Sequence, residues 1–344
     1  MKKIVIFRTD RIGEVLLSTV AIDAVKRRYP AARVSFVTSE YSRPVLEARQ
    51  DIEKIFTVGV PGKGKWLLRM FRLVSLLRKN HFDMAIVLNP RKDLHLACFL
   101  TGIPVRAGYD RKWGGIFLNR KIPDERGKGE KHECEYTRDL LDLVGAGQGV
   151  FLPHLFVSRG DEKTVAEFMQ HRRIDPREVL IAVHPGSSNS AKIWPHERYA
   201  ELIRRLKTEL GCRAVVFGSR EESALVGKIA LLAQADAIEG AGVFDLGALA
   251  AFLKKTVLFV GNDTGPMHMA AALGVPVIGI FGRNIPGVGP VRWGPCGEGH
   301  VVFHEDPGCE KCHDAACPHD YKCLRAVTVD EVFNAARKIV KRAA

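Results

Sequence analysis

The sequence predicts an α/β protein of two doubly wound domains, and three observations carry that prediction. Continuous apolar runs alternate with amphipathic stretches, which is the signature of a parallel sheet covered on both faces. The alternation stops in a polar, charge-rich stretch at 122–175 and then starts again. The length of 344 residues suits two domains of ordinary size, and 46% apolar with 26% charged residues supplies both cores and a solvated surface. That balance excludes intrinsic disorder, collagen-like repeats and a polytopic membrane protein.

In chain order, KIVIF at 3–7 reads as a buried strand, followed by a helix over about 14–28, and RVSFVT at 33–38 reads as a second strand. A basic amphipathic helix covers 63–79, and DMAIVL at 83–88 is a further strand. The polar stretch carries one helix, 133–144. The second series has strands at 179–183, 213–217, 257–260 and 275–280, with helices at 195–210, 221–233 and 266–273 and a last one at 329–341. The expected division is 1–160, 161–325 and a terminal helix in 326–344. Ligands of such sheets lie beyond the carboxyl ends of the strands, so a cleft between two facing domains is the expected active site.

The formal net charge of +13 is unevenly placed. Residues 1–131 hold 27 Lys+Arg against 13 Asp+Glu, whereas 132–344 hold 25 against 26. A basic first half implies an anionic partner: nucleic acid, an acidic membrane surface or a phosphorylated substrate. No nucleic-acid recognition motif or aromatic stacking platform accompanies the charge, which disfavours nucleic acid. The apolar run behind Lys2 and Lys3 is shorter than the roughly 7 to 15 residues of a signal peptide. No run reaches the roughly 18 residues of a membrane span. The expectation is a cytoplasmic protein, at most peripheral on the inner membrane face. In the helix at 63–79, Lys65, Arg69, Arg72 and Lys79 share one face, and Trp66, Met70, Leu73 and Leu77 another. Such a helix either covers a sheet with a solvated basic face or contacts anionic lipid or phosphorylated glycolipid.

Three strand ends carry chemistry. In VGNDTGPMHMAA (260–271) a strand runs into a polar turn, and Pro266 stands where a helix begins. Backbone N–H groups there, with the Thr264 hydroxyl, suit a diphosphate; the plainer reading makes Asp263 or Thr264 a helix cap. HPGSSNSAKIWP (184–195) follows another strand, and Ser187, Ser188 and Lys192 suit phosphate oxygens, unless the segment is only a flexible loop. It lacks the spacing of a nucleoside triphosphatase loop. RTDRIGE (8–14) follows the first strand; Gly13 permits close backbone approach, and Glu14 opens a helix, where a carboxylate is favoured by the dipole in any case. Cys309, Cys312, Cys317 and Cys323 are spaced C-x2-C-x4-C-x5-C with His313 and His319 among them. The spacing leaves two readings, reduced structural thiols or a structural metal.

FRTDRIGEVLLSTVAIDAVKRRYP, HPGSSNSAKIWPHERYAELI and FVGNDTGPMHMAAALGVPVIGIFG, in that order and spacing, resemble glycosyltransferase family 9, which includes the lipopolysaccharide heptosyltransferases. The resemblance covers most of the chain. It implies a GT-B fold and an inverting transfer that requires no cofactor. The nucleotide sugar, ADP-heptose by the resemblance, would sit on the C-terminal domain against Ser187, Ser188, Lys192, Asp263, Thr264, Gly265 and His268. Phe244 would lie beside the base, where related enzymes place Met or a similar apolar residue. A lipopolysaccharide core, related glycolipid or phosphorylated oligosaccharide would meet Gly13, Lys65, Arg69 and Arg72, with Glu14 as the base. The family usually has Asp after the glycine, so this carboxylate reaches one methylene further. The alternatives are a nucleotide-sugar epimerase of the same fold and a non-catalytic binder of anionic glycolipid.

Overall fold

The computed structural model describes residues 1–59, 66–234 and 237–343. The chain divides into two compact units, Met1–Phe156 and Val157–Ala344. The helix Val329–Ala343, set apart in the sequence reading, supplies Val332, Phe333, Ala336, Ile339 and Val340 to the core of the second unit.

The first unit holds β1 (Lys3–Phe7), β2 (Arg33–Thr38), β3 (Lys54–Thr57), β4 (Met84–Val87), β5 (Val105–Asp110) and β6 (Arg120–Pro123). All are parallel, in the order β3-β2-β1-β4-β5-β6. The side-chain period of two sorts each strand between two cores. Ile4, Ile6, Val34, Phe36 and Ile86 meet the helices Val20–Arg28 and Glu133–Asp142. Val5, Phe7, Val37, Ala85 and Val87 meet Trp66–Asn80 and Lys92–Leu100 on the other face.

The second unit repeats the plan with β7 (Leu180–His184), β8 (Arg213–Gly218), β9 (Ala237–Ala241), β10 (Leu258–Asn262), β11 (Val277–Phe281) and β12 (Val301–His304), in the order β12-β11-β10-β7-β8-β9. Both orders reverse at one point, between β1 and β4 and between β7 and β10. Each is a Rossmann-like doubly wound sheet whose ligand crevice is expected at that switch point, beyond the carboxyl ends of those strands.

Three elements differ from expectation. The helix expected over 14–28 is two, Ile12–Leu17 and Val20–Arg28. At the break Ser18 Oγ donates to the Glu14 carbonyl at 2.7 Å and Thr19 Oγ1 to that of Leu16 at 2.7 Å, and such back-bonding bends helices. The stretch 122–175 gains a helix, Arg159–His171, started by a capping box in which Ser158 and Asp161 bond reciprocally. The helix after β10 begins at Gly265, so Pro266 is its second residue rather than its first. Among the described residues no helix is long and apolar enough to cross a membrane.

Candidate functional site

In the second unit the loops after β7 and β10 meet through Asn262, which is fully buried. Its Nδ2 donates to the carbonyl of Pro185 at 2.8 Å, and its Oδ1 accepts from the Trp194 amide at 3.1 Å and the Tyr199 hydroxyl at 2.9 Å. One side chain therefore sets both walls of the crevice. Next in sequence, Asp263 holds two cations: Lys192 Nζ lies 2.6 Å from its Oδ2, and Arg283 Nη2 3.4 Å. Lys192 also donates to the Asp263 carbonyl at 3.1 Å. Both cationic side chains are mostly buried, at 13% and 12% exposure. They lie beside the start of Gly265–Ala272, whose first N–H groups have no partner within the helix.

Asp263 thus acts as a counter-ion and does not cap the helix. Thr264 is the N-cap residue, but its side chain makes no capping bond. Its hydroxyl instead meets His184 Nδ1 at 3.2 Å. The other ring nitrogen of His184 lies 3.6 Å from Glu222, whose carboxylate accepts from the Ser219 amide at 2.7 Å. The nearby His184 ring holds the Glu222 carboxyl below the usual range despite its burial. Gly186 makes room for this side chain, since a Cβ there would stand 1.8 Å from Glu222 Oε1.

In the first unit the carboxyl ends of β1 and β4 carry a dense polar network. Arg8, 2% exposed, lies 3.0 Å from Asp10 and donates to Glu133 at 2.9 Å. Arg126 reaches the same Glu133 oxygen at 3.3 Å, and both arginines donate to the Leu88 carbonyl. The Thr9 hydroxyl accepts from Asn89 and Arg91, each at 2.9 Å. Glu14 stands in the first turn of Ile12–Leu17, half-buried, behind the buried Gly13. Burial raises its carboxyl above the ordinary value; Arg8 opposes that shift and Asp10 adds to it.

The family model for glycosyltransferase family 9 (heptosyltransferase) matches residues 70–322. The chain belongs to glycosyltransferase family 9. It is 27% identical over 305 residues to lipooligosaccharide heptosyltransferase 2 of Haemophilus ducreyi, covering 84% of this chain and 85% of that one. A family 9 glycosyltransferase structure from Veillonella parvula matches with a TM-score of 0.89 at 22% identity, over 99% of this chain and 98% of the other. The structure of E. coli ADP-heptose lps heptosyltransferase II matches with a TM-score of 0.80 at 22% identity, over the full length of both. The fold is therefore GT-B in class, as the resemblance implied, and the protein is a glycosyltransferase.

Within this family 9 glycosyltransferase the structure brings together Lys192, Asp263, Thr264 and Gly265. His268 follows in the same helix, buried. Ser187 and Ser188 lie on the loop after β7; Ser187 Oγ accepts from the Asn189 amide at 3.3 Å, and Ser188 is exposed. Phe244 is half-buried and stacked on Phe252 at 4.9 Å, with Phe168 in a T-shaped contact at 4.8 Å, so one ring face belongs to the core. Arg283 and Glu222 were not singled out from the sequence. Arg283 had a usable signal, as the cation two residues beyond β11; Glu222, one of two adjacent glutamates at the start of a helix, had none.

The basic helix corrects the expected pattern. Lys65 lies outside the described residues. Leu73 and Leu77 are buried as expected, but Trp66 is 46% exposed. Arg72 and Lys79 are exposed, whereas Arg69 is half-buried, with its side chain beside Gly59. Cys309, Cys312, Cys317 and Cys323 are all half-buried thiols. Cys309, His313 and His319 line one surface cavity of about 330 Å³, whose lining does not include the other three cysteines. Four thiolates on one metal ion, each about 2.3 Å from it, would lie within 4.6 Å of one another. Among the described residues no three of these cysteine and histidine side chains bring ligand atoms within 4.8 Å. As arranged, the cluster does not fit a four-thiolate metal centre.

Proposed function

We propose that this glycosyltransferase moves a heptose from ADP-heptose, with inversion, onto a lipopolysaccharide core or related glycolipid. The observation that carries the donor side is Asp263 holding Lys192 and Arg283 beside a helix N-terminus, at the switch point of the second sheet. A diphosphate entering there meets two cations and the positive end of a helix, which suit anions. The names of the relatives support the choice of sugar and acceptor.

In this reading Glu14 takes the proton from an acceptor hydroxyl as that oxygen bonds to the anomeric carbon. The bond from that carbon to the diphosphate breaks, and the departing nucleoside diphosphate gains a negative charge. Lys192, Arg283 and the helix N-terminus stabilise that charge, and the chemistry routes no step through a metal. The burial that raises the Glu14 carboxyl makes it a stronger base than a solvated glutamate. The acceptor side falls to the basic first unit, with Gly13, Arg69 and Arg72, in a cytoplasmic protein working on a glycolipid of the inner membrane face.

A thermal-shift panel of ADP, UDP, GDP and CMP tests the donor. At about 100 times its dissociation constant the right nucleotide adds roughly 2.7 kcal/mol of stability. Turnover of ADP-heptose then tests the chemistry. Release of ADP only when acceptor is present supports transfer, sugar isomerisation without acceptor supports an epimerase, and no turnover supports a binder.

A further inference from the structure

On the first unit, the helix Trp66–Asn80 turns Leu73 and Leu77 to the sheet and leaves Leu67 and Phe71 in solvent, at 74% and 72% exposure. It packs beside Lys92–Leu100, which in turn packs on the 3-10 turn Lys112–Phe117. The seam is held by Arg78 Nη2 donating to the Leu100 carbonyl at 3.1 Å and by Phe99 meeting Phe117 at 5.6 Å. On these adjoining elements Phe99, Leu100, Trp113 and Ile116 are exposed as well, the last two at 77% and 65%. Scattered exposed leucines need no explanation, but a run of large side chains over three adjoining elements does.

Charge decides what covers it. Residues 66–80 contain four cations and no carboxylate. Arg72, Arg78, Lys79 and Lys112 are exposed, and none is ion-paired among the described residues. The nearest acids in the sequence of the neighbouring elements, Asp93 and Asp110, are occupied by Arg91 and Lys121. A second copy of the chain would oppose cations to cations, and protein interfaces exclude charge from their cores. An anionic bilayer takes both features at once, with apolar side chains entering the headgroup boundary and cations on the phosphates.

We infer that the surface formed by Trp66–Asn80, the end of Lys92–Leu100 and the turn at Lys112–Phe117 docks this enzyme on an anionic phospholipid membrane. Leu67, Phe71 and Trp113 insert, and Arg78, Lys79 and Lys112 pair with lipid phosphates. The inference stands apart from the donor-site reading, because nucleotide binding and vesicle binding are read separately.

The test is flotation of the full chain with phosphatidylcholine vesicles, with and without 30 mol% phosphatidylglycerol, in low and high salt. The wild type binds the anionic vesicles and is released by salt. The triple variant Leu67→Ser, Phe71→Ser, Trp113→Ser and the triple variant Arg78→Glu, Lys79→Glu, Lys112→Glu each lose at least tenfold in vesicle partitioning, while the thermal shift with ADP is unchanged. Three results overturn the inference: no binding of wild type to anionic vesicles, wild-type binding by both variants, or a wild-type dimer that the serine variant converts to monomer.

Discussion

Lys192→Ala gives the sharpest test of the donor site, because its effect has a size. The Lys192 ammonium lies against Asp263 in a mostly buried position, so a diphosphate oxygen reaching it forms a charge-assisted bond in a poorly screened place. Such a bond contributes about 1.5 to 3 kcal/mol, or about 10- to 150-fold in dissociation constant. The lower end is expected, since in the free protein the same ammonium is already paired and Arg283 stays behind. At ADP 100 times the wild-type dissociation constant, a 10-fold loss cuts the ligand stabilisation from about 2.7 to about 1.4 kcal/mol. For a unit of about 190 residues this is the difference between a shift of roughly 5–11 °C and one of roughly 3–6 °C. Calorimetric titration at fixed salt gives the affinity directly, and the melting temperature without nucleotide reports folding. Wild-type affinity for ADP in Lys192→Ala would refute the placement of the diphosphate.

Glu14→Gln is expected to lower turnover by about 10² to 10⁴-fold with ADP affinity intact; near-normal turnover in a steady-state assay rejects the base. A carboxyl whose folded pKa is raised contributes stability below its unfolded value and loses it as pH rises through the folded one. Glu14→Gln therefore melts at or above the wild-type temperature at pH 7, and a lower melting temperature there contradicts the sign. Glu222 runs the other way: its lowered carboxyl stabilises above the unfolded value and loses that contribution as pH falls, so Glu222→Gln narrows the acid-induced drop in melting temperature. Asn262→Ala strands a buried amide and hydroxyl, each at about 1 to 3 kcal/mol, and should lower the melting temperature by several degrees; an unchanged value breaks the account of the two walls.

What could be read from the sequence follows from where strands sit in their sheets. β1, β4, β7 and β10 flank the two switch points, buried on both faces, so they are written as unbroken apolar runs. The ends of β1, β7 and β10 carry the three segments that could be recognised as chemical. β3, β6, β9 and β12 lie at the sheet edges, and β5 is next to one. KIFT, RKIP and AIEGA mix polar and apolar residues because edge strands face water and carry charge against unwanted pairing. They went unread. The same limit applies to the site. Lys192, Asp263 and Thr264 were legible as members of loops between strand and helix, whereas Arg126 and Glu133 reach the ends of β1 and β4 from far along the chain, and Glu222 and Arg283 come from the loops after the neighbouring strands β8 and β11. A buried ion network leaves no periodic trace. The apolar outer face of Trp66–Asn80 was hidden for another reason: apolar residues at nine of its fifteen positions suit several helical faces, and only packing shows which of them meet the sheet.

The place of the last helix has a consequence for how the protein is made. All six strands of the first sheet have left the ribosome by Pro123 and their second covering helix by Asp142. The second sheet starts at Leu180 and its sixth strand ends at His304, but the wall formed by Val329–Ala343 is made only after all six strands. At roughly 5 to 20 residues per second, its apolar strands wait about 8 to 30 seconds for their cover. During that interval the nascent chain carries one domain ready to close beside another that needs protection. A holding chaperone, slower synthesis or lower temperature should therefore improve the yield of this half more than of the first. A stop codon ahead of Val329 would strip Val332, Phe333, Ala336, Ile339 and Val340 from a core then covered by His196–Leu210 and Ser223–Leu232.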